Sequence, residues 1–257
     1  MRTFRRAFIA VFDLRASATA LVLALLFVFA PASAGAAPGG FDPSSLPGIG
    51  GSSQVIVVTA TNARTSFARV SAYEKRADGT WSTVIDATPA RLGYSGSIKA
   101  SARRQGTGKT PIGTFPIVTT FGRLADPGTQ MPYVRFDRND AWTYNPRSPS
   151  TYNLFQTANR SWRSFGSYVE WLWRYGSQYN YVAVLDYNLP KGAVRTGADG
   201  IRRAENPANT SKGGGIFLHV TNGKPTAGCI AIPQAQMAKV MRWIDPAKQP
   251  VVIVTLD

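Results

Sequence analysis

The 257-residue chain contains a single cysteine and a single histidine. One thiol cannot close a disulfide within the chain, and one imidazole with one thiol cannot furnish the nitrogen and sulfur ligands of a structural zinc site. Asp137 and Asp140 lie close together, but without a second histidine or cysteine the ligand set is incomplete, so no metal is expected. Acidic residues are scarce, 14 against 29 lysines and arginines, which gives a formal charge of +15. Long apolar runs are missing too. The longest, Leu21-Val-Leu-Ala-Leu-Leu-Phe-Val-Phe-Ala30, falls short of the roughly 20 residues that span a bilayer.

That short apolar run follows Arg2, Arg5, Arg6 and Arg15 and precedes Ala32-Ser-Ala34 and Ala34-Gly-Ala36, two small-residue cleavage signals. Residues 1–36 therefore read as a secretory signal, the rival being an uncleaved anchor beginning near Ala16. The only expected membrane association is through this segment, and the product is expected outside the cytoplasm, at the cell wall or secreted. Removing residues 1–36 takes away those four arginines and Asp13, leaving +12. Such a chain is drawn to anionic surfaces, of which a bacterial wall with its carboxylates and phosphates is one. Its basic residues are scattered, in short pairs such as Arg103-Arg104, and no nucleic-acid-binding module is recognisable, so no nucleic-acid partner is expected.

Residues 37–54 are rich in Pro, Gly and Ser and read as a flexible tether ahead of a domain over 55–257. Apolar alternation and turn signals predict strands over 55–58, 67–73, 81–85, 113–120, 181–187, 215–220 and 251–256, with Asp78-Gly79 as a hairpin turn. Helices are few. Met237, Val240, Met241 and Ile244 form a helical stripe between Pro233 and Asp245-Pro246, and Ser167…Glu170 has the spacing of a capping box for a short helix that Gly176 closes. The segment 122–166 is dense in Tyr, Trp, Asn, Pro and Arg without clear period, a candidate binding wall or an ordinary packed insertion. The fold class is mainly β, with a small helical part.

His219 and Cys229 stand ten positions apart. A thiol attacks as thiolate, and a neighbouring imidazole is the usual base that produces it, so the pair points to cysteine acyl transfer. In Gly215-Ile-Phe-Leu-His-Val220 alternation puts Phe217 and His219 on one face and Ile216, Leu218 and Val220 on the other. Asn222-Gly223 and Pro225 make the return, so the two side chains are expected at neighbouring strand ends. Gly228 permits close approach of a substrate, and the amides of Gly228, Cys229 and Ala227 are candidate oxyanion donors. Thr226 is expected to shape the turn or to bond the substrate. Tyr187 and Asn188, at the end of a predicted strand, are candidates for lining the same cleft. Gly106-Thr-Gly-Lys-Thr110 is no nucleotide loop, since the first glycine is missing and Pro111 breaks the helix that must follow; no cofactor is expected.

His219 followed by Thr226-Ala-Gly-Cys-Ile230 resembles the signature of the L,D-transpeptidase (YkuD-type) family, and Lys109-Thr-Pro-Ile-Gly-Thr-Phe115 resembles a second segment of that family. The resemblance covers about residues 55–256. It implies a β-sandwich-like catalytic domain acting on peptidoglycan stem peptides. Cys229 would attack the carbonyl at the L-centre of the third, diamino residue and release D-alanine, and His219 would carry the protons. An amine of a second stem would then form a 3–3 cross-link. His219 has no neighbouring acid in sequence, so a backbone carbonyl is expected to orient it, as the resemblance implies. Many members have arginine two residues after the cysteine, where this chain has Ala231. That departure leaves hydrolysis of the thioester open as an alternative to transfer. A non-catalytic wall-binding protein is the alternative of another class.

Overall fold

A computed structural model describes residues 41–157 and 162–257. The expected signal segment, and residues 37–40 of the expected tether, lie outside the described residues. No helix among these residues is long and apolar enough to cross a membrane.

The architecture is mainly β, in keeping with the alternating sequence. Strands β1 (Gln54–Ala60), β2 (Phe67–Lys75) and β3 (Trp81–Arg91) form an antiparallel meander. β4 (Ser97–Lys99) runs parallel to the start of β5 (Thr110–Gly122), and β6 (Tyr133–Arg135) parallel to its end. The aromatic segment builds a small antiparallel sheet of β7 (Ala141–Thr143), β8 (Leu154–Gln156) and β9 (Val169–Trp171). β10 (Val182–Leu185) returns to the main sheet, and β11 (Lys191–Thr196) with β12 (Arg202–Asn206) forms a separate hairpin. β13 (Phe217–Val220), β14 (Ile230–Ile232), helix α1 (Gln234–Trp243) and β15 (Val251–Leu256) complete the chain.

The main sheet runs β10-β13-β14-β3-β2-β1-β15-β5-β4, and a further pairing of β10 with β5 carries the ladder all the way round. β5 makes this possible by changing partner: Gly113 to Pro116 pair with β15, and Ile117 to Phe121 pair with β10. The enclosed core holds Ile56, Val70, Leu185, Leu218, Ile230 and Val252, sealed by Met237, Val240, Met241 and Ile244 of α1. The predicted helical stripe is thus core packing. The continuous apolar run of β1 follows from burial on both faces, with Ile56 and Val58 in the main core and Val55 and Val57 outside it against Val251 and Ile253.

Two expectations change. The segment read as a tether is, from Phe41 onward, laid over the outer face of β1 and β15. Leu46 and Ile49 pack on Val55, Val57, Val251 and Ile253, Thr114 Oγ1 donates to the Pro47 carbonyl at 2.6 Å, and Phe41 meets the Tyr73 ring. Its Pro and Gly residues shape turns against an apolar face that would otherwise be bare. Likewise no helix opens at Ser167. Val169–Trp171 pairs with β7, flanked by short 3₁₀ segments (Trp162–Tyr168 and Leu172–Tyr179) kinked at Gly166 and Gly176. The ladder, together with burial of Leu172 and Tyr179 in the aromatic core, outweighs the local cap.

Candidate active site

The pairing of β13 and β14 decides where the thiol and imidazole meet. The strands are parallel, with Leu218 opposite Ile230 and His219 opposite Ala231, so Cys229 lies one step before β14, beside Phe217. On a pleated surface His219 and Cys229 are then diagonal neighbours on the same face. Ile216, Leu218 and Val220 enter the main core, while Phe217 and Cys229 join an outer cluster with Phe121, Trp142, Tyr179 and Val182. The alternation read in the sequence therefore holds. That outer face floors a pocket of about 730 Å³ lined by His219, Cys229, Thr226, Ala227 and Arg103, by Tyr144 of the aromatic segment, and by Tyr168, Glu170, Tyr175, Gln178 and Tyr179 beyond its end.

His219 Nδ1 lies 2.9 Å from the Val220 carbonyl, which can only accept, so this contact favours the tautomer protonated at Nδ1. The ring packs against the edge of Tyr179 at 5.3 Å. Burial pulls its pKa down to about 4, although the Val220 and Gln178 carbonyls favour the protonated ring. Burial, with the nearby Glu170 adding to it, pushes the Cys229 thiol up to about 12, while the Phe217 amide and Arg103 act the other way. The thiol donates to the Gly215 carbonyl at 3.2 Å. Both shifts favour the neutral forms, a thiol and a free base.

Thr226 is the keystone of the cysteine turn. Its Oγ1 donates to the Cys229 carbonyl at 2.6 Å and accepts the Gly228 amide at 3.1 Å. Its backbone is clamped by Leu92 and Tyr94, and the loop carrying those residues is held by Thr110, whose Oγ1 accepts the Gly93 amide at 2.8 Å. Lys109 Nζ donates to the Ser95 carbonyl at 2.7 Å. The Lys109-Thr110 motif thus works as scaffold for the cysteine turn, and the two motifs of the sequence are mechanically linked.

Residues 54–253 match the family model of the YkuD L,D-transpeptidase catalytic domain. The chain belongs to the L,D-transpeptidase family. A search of curated proteins returns no match to it. The family acts on peptidoglycan stem peptides, and membership makes this an L,D-transpeptidase-type enzyme.

Three expectations about the L,D-transpeptidase site need correction. The Gly228 amide donates to Thr226, whereas the Ala227 and Cys229 amides have no hydrogen-bond partner among the described residues. Gly228 is required by close approach of the protein itself: at φ +141°, a Cβ there would lie 2.9 Å from Arg103 Nη2 and 3.0 Å from the Lys109 carbonyl. Tyr187 and Asn188 do not line the pocket. Tyr187 is buried against Phe115 and donates to the Lys212 carbonyl, and Asn188 Nδ2 donates to the Asn209 and Gly213 carbonyls, so both buttress the loop that leads to Gly215. Asp140 serves a turn, accepting the Asp137 amide at 2.8 Å.

Arg103 and Glu170 escaped sequence reasoning. Arg103 is 4% exposed, donates through Nε to the Lys109 carbonyl and through Nη1 to the Lys212 carbonyl, and has no carboxylate partner among the described residues. In the sequence it is one of a pair of basic residues, and only the fold brings it beside the thiol.

Proposed function

We propose that this chain is an exported L,D-transpeptidase that works through a Cys229 thioester. The donor is a tetrapeptide stem whose third residue is a diamino acid. His219 Nε2 takes the Cys229 proton as sulfur attacks the carbonyl at that residue's L-centre, and the resulting imidazolium is steadied by the Val220 and Gln178 carbonyls. The oxyanion is met by the Ala227 and Cys229 amides. Collapse breaks the peptide bond, with His219 returning the proton to the departing D-alanine amine. A side-chain amine of a second stem then attacks the thioester, loses its proton to His219 and restores the thiol, leaving a 3–3 cross-link.

The observation that carries this reading is the placement of the chain's one histidine and one cysteine on one sheet face at the floor of the pocket, in a domain of this family. The starting pair is neutral, so the base must take the proton as the bond forms, helped by the Val220 and Gln178 carbonyls that favour the protonated ring. The signal pattern of residues 1–36 and the remaining charge of +12 support export to an anionic wall.

Incubation of residues 41–257 with a disaccharide-tetrapeptide, followed by chromatography and mass spectrometry of the products, tests the reading. Cross-linked dimer and D-alanine are expected, both absent with Cys229→Ala. Tripeptide with no dimer would make the enzyme a hydrolase of the same thioester.

A further inference from the structure

The thiol and imidazole do not account for one ionisable wall of the pocket. Glu170, placed there by the pairing of β9 with β7, accepts a hydrogen bond from the Tyr179 hydroxyl. Tyr144 and Tyr175 line the same pocket, and both stand near enough for the Glu170 charge to oppose ionisation of their phenols. Tyr175 stacks on Tyr179 with 4.8 Å between ring centroids. No lysine or arginine among the described residues forms an ion pair with Glu170. Burial raises its pKa to about 7, as befits a carboxylate without a counter-charge.

A carboxylate among aromatic rings, open to a pocket and lacking a cation, is the chemistry of an ammonium site: the carboxylate supplies the opposite charge and the ring faces add cation–π attraction. Glu170 and Cys229 line one pocket, so an ammonium held by Glu170 shares that pocket with the bond that is cut. An ammonium held in this way has no lone pair and cannot attack a thioester. Such a site suits a group that stays protonated through the reaction, which is the donor's side-chain amine, whereas the acceptor amine has to lose its proton to attack. Arg103, which lines the same pocket and has no carboxylate partner among the described residues, suits the terminal carboxylate of the same dipolar donor.

Resting on the donor reading above, we propose that Glu170, with Tyr144, Tyr175 and Tyr179, binds the side-chain ammonium of the diamino residue whose carbonyl Cys229 attacks. The site makes the enzyme selective for stems whose third residue carries a free, charged amine.

Calorimetric titration of the Cys229→Ala chain with two tetrapeptide stems, one free and one acetylated at the side-chain amine, tests the assignment. The free stem is expected to bind about tenfold more tightly. The advantage falls below about twofold when Glu170→Gln is added, and shrinks with Tyr175→Leu, a change at a ring that is 38% exposed and not part of the core. Equal affinities, absence of binding by either stem, or an advantage kept in the Glu170→Gln variant would overturn the site. The unmodified chain separates this outcome from the parent reading. Discrimination in binding without any Cys229 adduct leaves the ammonium site standing and sinks the transpeptidase mechanism. Adduct formation at equal rates from both stems does the reverse.

Discussion

Cys229 is buried and carries its proton: with the thiol raised to about 12, the thiolate fraction at pH 7 is roughly one in 10⁵. Alkylation by iodoacetamide in the absence of substrate should therefore be slow at neutral pH and rise about tenfold per pH unit up to at least pH 10, followed by mass spectrometry. A plateau by pH 7 would mean a preformed thiolate–imidazolium pair, contrary to this description. Glu170 gives a second prediction. Its folded pKa of about 7 lies above the ordinary 4.5, so neutral Glu170 contributes stability in full below pH 4.5, and that contribution is lost as pH rises through 7. Glu170→Gln keeps the shape without the ionisation. The melting temperature of the variant relative to the native chain should climb between pH 4.5 and 7; a flat difference would contradict the enclosed carboxylate. That His219 and Cys229 share one sheet face was legible because each residue type occurs once and the strand alternation gave His219 its face. Arg103 and Glu170 were not, because their significance comes from chain segments that the fold brings together around Cys229.

Among the elements, the cysteine turn is the most constrained. Gly228 combines a positive φ with backbone and guanidinium atoms where a side chain would begin. Gly228→Ala is expected to cost about 1–3 kcal/mol in denaturant unfolding and to lower acylation far more than Ala227→Gly does, because the Lys109 carbonyl and Arg103 pack directly against the residue that precedes Cys229. An unfolding midpoint within 0.2 M urea of the native chain would count against that close packing. Strands with strict alternation and the α1 stripe were readable from local pattern. β7, β8 and β9 are three residues each and exist only through one another and the aromatic core, so the Ser167…Glu170 spacing gave a helix where the fold makes a strand.

At the scale of the molecule, the sheet closes on one core and leaves two outer faces to cover. The aromatic segment and the residues up to Tyr179 cover one and wall one side of the pocket; residues 41–53 cover the other. A chain beginning at residue 54 should lose roughly 2–4 kcal/mol relative to one beginning at 41, with melting several degrees lower, since Leu46, Ile49 and the Trp81–Ser44 and Thr114–Pro47 hydrogen bonds go together. Equal melting temperatures would restore the tether. Composition hid this role, because Pro and Gly read as loose linker whether the segment packs or not.

The central claim is that Cys229 is acylated by the donor stem with His219 taking its proton. Intact-protein mass spectrometry during incubation with a tetrapeptide stem tests it most directly. The account predicts a mass increase equal to the tripeptide acyl group, located on Cys229, released D-alanine in equal amount, no adduct with Cys229→Ala, and a rate lower by roughly 10²–10⁴ with His219→Gln. D-alanine release that persists without Cys229, or acylation at native speed without His219, would contradict it.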